Sequence, residues 1–147
     1  VLADLGHESE VLDYRSDFIE SHYTPSLLGT LKSPRRLGIA LLRNGYMRDR
    51  RSIFEEFVRE HIRTSEPLTS DQLAAVSHRY GVLMAGSDQV WNYRTAGFDP
   101  NYFLSFAGAN SKKTAYAASL GISEIPENLR TRYWDLLKDY SGITMRE

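Results

Sequence analysis

Three short runs of apolar or small residues, alternating with segments of helical spacing, constrain the fold of this chain most. The runs VLMA, KTAYAAS and SGITMRE predict strands near 82–85, 113–118 and 142–145. A short unbroken apolar run such as VLMA is typical of a strand that is covered on both faces. A further strand is predicted near 8–14, where polar and apolar residues alternate. Strands that alternate with helices favour an α/β fold with a parallel sheet.

Apolar residues at helical spacing predict helices near 53–62, 70–79 and 127–139. A Ser or Thr followed three residues later by Glu or Gln opens the first two helices, and a proline opens the third. Residues 15–33 show no clear periodicity and are predicted to form a loop. Another helix is predicted to begin at Pro34, with the preceding serine as its N-cap.

Composition excludes several classes of protein. The 147 residues are 41% hydrophobic and 12% aromatic, which is enough to form a core and argues against disorder. The net charge of −1 gives no overall field that would attract nucleic acid or an anionic membrane. Residues 34–63 are rich in arginine, but interleaved glutamates and the lack of an aromatic platform favour a solvated helix face. We therefore expect no nucleic-acid partner.

Several residue types and patterns that other classes of protein require are missing from the sequence. The chain has no Cys, which excludes disulfides, thiolate metal sites and a Cys nucleophile. The four histidines show no ligand spacing, so no metal site is predicted. No apolar stretch approaches the length of a transmembrane helix, so no transmembrane segment is expected.

Polar side chains follow each of the three predicted strands. Residues 86–89 come after the first strand, 119–121 after the second and 146–147 after the third. In open parallel α/β sheets, ligands bind beyond the carboxyl ends of the strands. The sequence therefore predicts that these three groups meet and form one wall of a substrate cleft.

The stretch GSDQVWN, residues 86–92, carries the residue types that recognise a sugar. Asp88 is the candidate catalytic base, because a carboxylate can take the proton of a sugar hydroxyl. Ser87, Gln89 and Asn92 can bond neighbouring hydroxyls, and Trp91 can stack on the apolar face of a sugar ring. Alternatively, Asp88 or Ser87 is the N-cap of a short helix and Trp91 is a buried core residue.

The other candidate residues belong to the second and third strands. Arg146 can pair with a carboxylate or a phosphate, or alternatively forms an ion pair within the protein. Tyr116 and Ser119 are candidates for lining the cleft, although Tyr in a strand is more often part of the core. The complete set of predicted substrate-binding residues is Gly86, Ser87, Gln89, Trp91, Asn92, Tyr116, Ser119, Gly121 and Arg146.

Several motifs, taken in order, resemble those of the polysaccharide pyruvyl transferase family. They are LADLGHESEVLDY near the start, then GSDQVWN, DPNYFLSF, KTAYAASLG and finally ITMRE. The match covers almost the whole chain. The combination of GSDQVWN with YAASLG is far more specific than a single glycine motif.

The resemblance implies a fold and a reaction. Members of the family are similar to GT-B glycosyltransferases, with two Rossmann-type domains that face each other. Residues 1–147 would then form the N-terminal Rossmann-like domain, truncated at both ends. Its fold would be a three-layer sandwich with a parallel sheet. The family transfers the pyruvyl group of phosphoenolpyruvate to a pair of sugar hydroxyls as a ketal, in surface polysaccharide biosynthesis.

The resemblance also implies partners and a location. Phosphoenolpyruvate is a co-substrate and no cofactor is expected. The acceptor is a sugar or a lipid-linked oligosaccharide. A C-terminal domain of the same protein would hold the donor-binding Arg and His residues, so this chain alone is expected to be inactive. The expected location is the cytoplasm, including the inner face of the membrane through other biosynthetic proteins.

Two other functions remain open at this point. One is a GT-B-like glycosyltransferase that uses a nucleotide-sugar. The other is a non-catalytic carbohydrate-binding module. Release of inorganic phosphate from phosphoenolpyruvate would distinguish the pyruvyl transferase from the first, and turnover would distinguish it from the second.

Overall fold

A computed structural model describes residues 2–23 and 52–146 of the chain. The helix predicted from Pro34, the predicted loop beyond residue 23 and Glu147, the last residue of the third polar group, lie outside the described residues. Among the residues described, no helix is both long and apolar enough to cross a membrane.

The chain divides into two compact units, each continuous in space but assembled from two stretches of sequence. The first consists of Val1–Asp13 and His22–Pro67, and the second of Tyr14–Ser21 and Leu68–Glu147. The sheet and all of the predicted site residues belong to the second unit.

The second unit contains a parallel sheet of three strands, as predicted. Strand β1 is Val82–Ala85, β2 is Lys112–Ala118 and β3 is Gly142–Met145. The order is β1-β2-β3, with β2 paired to both neighbours in the parallel sense. With helices between the strands in sequence, this arrangement is an α/β fold.

Four α-helices and one 3-10 helix accompany the sheet in the described part of the chain. They are α1 at Asp17–Tyr23, α2 at residues 52–61, α3 at Ser70–Ser77, the 3-10 helix at Pro100–Phe103 and α4 at Glu127–Leu137. The three helices predicted among these residues are confirmed. Helix α3 begins as expected, because Gln72 Oε1 accepts a hydrogen bond from the N–H of its N-cap, Thr69, at 2.9 Å. Helix α1 shows that the prediction of a loop was wrong for residues 17–23.

The strand predicted near 8–14 is absent from the described residues, and that prediction was wrong. Two isolated parallel bridges occur there instead, between Val11 and Thr64 in the first unit and between Tyr14 and Leu68 in the second. The partner stretch contains Pro67, which has no N–H to donate to a ladder. The ladder between the two stretches is therefore interrupted near Pro67, which leaves isolated bridges on either side of it.

The aromatic core of the second unit lies where helix α4 packs against the 3-10 helix and the turns that follow β1. Trp91, Phe103 and Tyr133 are at most 2% exposed, and Phe98 is also buried. Tyr133 of α4 meets Phe98 edge to face, with ring centroids 4.8 Å apart, and Trp91 stacks on Phe103 at 5.8 Å. Aromatic pairs of these geometries add to the energy of burial alone. This cluster fixes the chain that follows β1.

Strand β1 is covered on one face. Leu83 and Ala85 are buried, whereas Val82 and Met84 are 52% and 48% exposed. The prediction that the VLMA run is covered on both faces was therefore wrong. The burial alternates along the strand, as in a sheet with one packed and one accessible face.

Candidate active site

The ends of all three strands are joined by backbone hydrogen bonds. The N–H of Ser119 donates to the carbonyl of Asp88 at 3.2 Å, and the N–H of Trp91 donates back to the carbonyl of Ser119 at 3.3 Å. On the other side, the N–H of Arg146 donates to the carbonyl of Ala118 at 3.0 Å. The predicted meeting of the polar groups is confirmed for residues 86–89, 119–121 and 146. Together with residues 90–92, we call them the carboxyl-end cluster.

The stretch 86–92 forms a series of bends and turns rather than a helix. The N–H of Asn92 donates to the carbonyl of Gln89 at 3.0 Å, which closes a turn. No helix begins within this stretch, so the alternative in which Asp88 or Ser87 is a helix N-cap is wrong. The side chain of Asp88 instead closes a local ring, because its Oδ1 accepts from the N–H of Gln89 at 2.7 Å.

The carboxylate of Asp88 is exposed at the end of β1. One oxygen, Oδ1, stabilises the turn. The other, Oδ2, accepts no hydrogen bond from any residue that the structure describes. A carboxylate fixed through one oxygen and open at the other can accept the proton of a bound hydroxyl.

Gln89, Asn92 and Gly121 form a small interlocked group. Asn92 is buried, and its Nδ2 donates to Oε1 of Gln89 at 3.1 Å. The Oδ1 of Asn92 accepts from the N–H of Arg94 at 3.0 Å. Gly121 lies against both amides with a φ of +60°, and a Cβ at that position would come within 2.8 Å of Nδ2 of Asn92. Asn92 therefore acts on its protein neighbours, and the prediction that it bonds a sugar hydroxyl is not supported by its position.

Ser119 also holds the site together from within. It is completely buried, and its Oγ accepts from the N–H of Gly121 at 3.0 Å. A side chain with no accessible surface cannot touch a ligand in this arrangement. The prediction that Ser119 lines the cleft was therefore wrong. Ser119 instead links the ends of the first and second strands.

Trp91 belongs to the core, as the alternative reading of the sequence proposed. The residue is 1% exposed, with its ring stacked on Phe103 and the edge of Tyr140 against it at 5.7 Å. Its Nε1 donates to the carbonyl of Tyr102 at 3.1 Å. No face of the ring is open to a sugar, so the predicted stacking role was wrong.

Helix α4 holds the backbone of the loop through a hydroxyl. Tyr133 donates from its OH to the carbonyl of Trp91 at 2.6 Å. Burial raises the pKa of the Tyr133 hydroxyl, which keeps it protonated and able to donate. The bond connects α4 directly to the stretch that carries Asp88.

Arg146 joins the third strand end to the first. Its Nη1 donates to the carbonyl of Ser87 at 3.2 Å, and both residues are exposed. The guanidinium is thus held beside the residue that precedes Asp88. A cation in this position can meet a carboxylate or a phosphate bound at the same edge.

The remaining predicted residues lie at or near the cluster. Gly86 is exposed and directly follows β1. Tyr116 is 65% exposed on β2, and in the register of the sheet it lies on the same accessible face as Met84. The structure gives no hydrogen bond between Tyr116 and the cluster among the described residues.

Asp99 has a structural role that the sequence analysis missed. Its Oδ1 accepts from the N–H of Asn101 and so caps the 3-10 helix, while its Oδ2 accepts from the hydroxyls of Tyr14 at 2.6 Å and Ser16 at 3.2 Å. Burial, together with the bond to Asp99, raises the pKa of Tyr14. The signal was present, since Asp followed by Pro is typical of an N-cap and the first helical position.

The chemistry of the cluster comes from a carboxylate, an amide and a guanidinium. Within residues 2–23 and 52–146, no group of three or more His, Asp or Glu side chains is placed to hold a metal ion. The arrangement can withdraw a proton at Asp88, donate a hydrogen bond from Gln89 and attract an anion at Arg146.

Comparison with known proteins identifies the family. The family model described as polysaccharide pyruvyl transferase matches residues 1–147. Neither the curated proteins nor the solved structures include a match. The family match spans the entire sequence, including every residue of the carboxyl-end cluster. The chain therefore belongs to the polysaccharide pyruvyl transferase family.

Proposed function

We propose that the carboxyl-end cluster is the acceptor side of an active site that transfers the pyruvyl group of phosphoenolpyruvate to two sugar hydroxyls as a ketal. The observation that carries the proposal is the bond from Arg146 to the carbonyl of Ser87, next to Asp88. It brings the guanidinium at the end of β3 beside the residue that precedes Asp88 at the end of β1. The family match supports the class of reaction.

In this proposal Asp88 and Arg146 act on different substrates. Asp88 removes the proton of one sugar hydroxyl, whose oxygen attacks the enol ether carbon of phosphoenolpyruvate while an acid protonates the methylene carbon. Phosphate then leaves, and a second hydroxyl of the sugar closes the ketal. Arg146 binds the carboxylate or the phosphate of phosphoenolpyruvate and offsets the charge that the leaving phosphate carries.

The proposal includes partners that the resemblance implies. The acceptor is a sugar or a lipid-linked oligosaccharide, and phosphoenolpyruvate is a co-substrate rather than a cofactor. A second Rossmann-type domain, arranged as in GT-B enzymes, supplies further donor-binding residues in the complete gene product. The reaction takes place in the cytoplasm, where phosphoenolpyruvate is made.

The test uses the complete gene product with phosphoenolpyruvate and a panel of methyl glycosides. We expect release of inorganic phosphate that depends on both substrates. Release of a nucleoside diphosphate from a nucleotide-sugar, without use of phosphoenolpyruvate, would instead identify a glycosyltransferase. Glycoside binding with no turnover of either donor would identify a carbohydrate-binding module.

A further inference from the structure

We infer that Gln89 selects the acceptor sugar by donating a hydrogen bond from Nε2 to a hydroxyl oxygen, and that Asn92 and Gly121 are positioning residues for its amide. This inference rests on the proposed function, because it assumes a sugar acceptor at the carboxyl-end cluster. It assigns different tasks to three residues that the sequence places together in one binding set.

The orientation of the Gln89 amide follows from its neighbour. The Oδ1 of Asn92 is occupied by the N–H of Arg94, so the group that Asn92 turns towards Gln89 is Nδ2, a donor. A donor requires an acceptor opposite it, and Gln89 therefore presents Oε1 to Asn92. The Nε2 of Gln89 is left pointing away from Asn92.

That nitrogen is available to a ligand. Gln89 is exposed, and its Nε2 has no hydrogen-bond partner among the residues that the structure describes. Because Asn92 is buried and bonded at both ends of its amide, the orientation of Gln89 is fixed before a ligand arrives. An amide donor that is already oriented costs less entropy on binding than a free one.

Gly121 provides the space in which the Gln89 amide lies. A Cβ at Gly121 would overlap the carboxamide of Gln89 and come within 2.8 Å of the Asn92 amide nitrogen. Contacts this short force one of the groups to move, and Gln89 is at the surface whereas Asn92 is buried. A side chain at position 121 would therefore displace the Gln89 amide.

Together, Asp88 and Gln89 distinguish the two oxygens of a hydroxyl pair. Asp88 accepts a proton from one hydroxyl, and the Nε2 of Gln89 donates to the oxygen of another hydroxyl of the same sugar. The two residues are adjacent in the sequence, and the backbone N–H of Gln89 donates to the side-chain Oδ1 of Asp88 at 2.7 Å. The choice of acceptor sugar then depends on which pairs of hydroxyls can reach both the carboxylate of Asp88 and the Nε2 of Gln89.

The test compares KM values for the methyl glycoside that the complete gene product uses best. We expect Gln89→Ala to raise the acceptor KM roughly 3- to 10-fold, the range for one neutral hydrogen bond, and to leave the KM for phosphoenolpyruvate unchanged. Gln89→Glu keeps an oxygen for Asn92 but has no donor to offer, so it should raise the acceptor KM at least as much.

Positioning is tested by whether the effects overlap. Gly121→Ala should raise the acceptor KM in the wild-type background and add little in the Gln89→Ala background, because the two changes remove the same contact. Gly6→Ala is the matched control: Gly6 also has a positive φ, of 81°, but no atom lies within 4 Å of the added Cβ. It carries the backbone strain without the collision and should leave both KM values unchanged.

Asn92→Asp supplies a second, independent variant. Its carboxylate can accept from both Arg94 and Gln89, which turns the Gln89 amide over and points Oε1 at the sugar. The acceptor KM should then rise about as much as in Gln89→Ala, and the double variant should show no further rise.

The outcomes separate the two proposals. An unchanged acceptor KM in Gln89→Ala, or fully additive effects of Gly121→Ala and Gln89→Ala, would overturn this inference while phosphate release continues to support the proposed function. Absence of phosphate release with every glycoside would overturn the proposed function and this inference with it.

Discussion

The two oxygens of Asp88 have different environments, and this makes the residue suitable for a direct test. In Asp88→Asn the Oδ1 atom still accepts from the N–H of Gln89, so the loop keeps its bond. The amide cannot take a proton at neutral pH, and kcat of the complete gene product should fall about 10²- to 10⁴-fold. The measurement is steady-state phosphate release, with thermal unfolding as the check on stability.

Asp88→Ala serves as the companion variant. It removes both the base and the bond that closes the turn, so stability should fall as well as kcat. Near-normal kcat in Asp88→Asn would remove the catalytic role and leave the carboxylate as part of the loop structure.

Two tyrosines next to Trp91, Tyr133 and Tyr140, offer a matched pair of substitutions. The Tyr133 hydroxyl donates to the carbonyl of Trp91, whereas the buried Tyr140 hydroxyl has no partner in the described part of the chain. Tyr133→Phe should lower the free energy of unfolding by about 1 kcal/mol. Tyr140→Phe should leave it unchanged or raise it, because no bond is lost and a buried polar group is removed.

Denaturant unfolding of the two variants measures this difference. Equal losses of stability in both would show that the hydroxyl of Tyr140 has a partner, and that the asymmetry around Trp91 is not real.

At the scale of the elements, strands β1 to β3 and helices α3 and α4 could be predicted because their signals are local. The run VLMA and the pair Thr69 and Gln72 can each be recognised from a few neighbouring residues. The burial of Trp91 could not be predicted in the same way. It depends on contacts with Phe103 and Tyr133, which lie 12 and 42 positions further along the chain.

For the same reason, only part of the candidate site could be predicted from the sequence. The meeting of the strand ends follows from parallel pairing, and so it could be predicted. Which side chains face outward depends on the turns within 86–92 and on the amide pairing of Gln89 with Asn92. Those turns place Asp88 and Gln89 at the surface and bury Asn92, a distinction that residue type alone does not make.

Tyr102, in the 3-10 helix, makes the stability of the fold depend on pH. Burial, followed by the charge of Asp99, raises the pKa of Tyr102 from 10.0 to about 12. Above pH 10 the unfolded state loses this proton before the folded state does, so the folded state binds more protons and stability declines as pH rises. The stabilisation is complete below pH 10 and is lost as the pH rises through about 12.

Denaturant unfolding at a series of alkaline pH values measures the effect, with Tyr102→Phe as the control. The variant should show a smaller decline across this window than the wild type. An identical decline in both would assign the alkaline sensitivity to other groups.

At the scale of the whole molecule, the site as described offers a base, an amide donor and one guanidinium for a reaction with two substrates. The proposed second domain holds further groups for phosphoenolpyruvate. We therefore predict that the 147-residue chain alone forms little or no ketal, because proximity of the two substrates is lost. Incubation of the purified chain with phosphoenolpyruvate and the glycoside panel, alongside the complete gene product, checks this. Robust turnover by the chain alone would show that these residues suffice for catalysis.

The carboxyl-end cluster is the proposed acceptor side of a pyruvyl transfer to a sugar. The most direct measurement follows phosphoenolpyruvate and a methyl glycoside by phosphorus and carbon NMR in the presence of the complete gene product. We expect inorganic phosphate and a ketal carbon to form in equal amounts, and Asp88→Asn to lower both together. Phosphate release without a ketal, or a new glycosidic linkage formed without use of phosphoenolpyruvate, would contradict it.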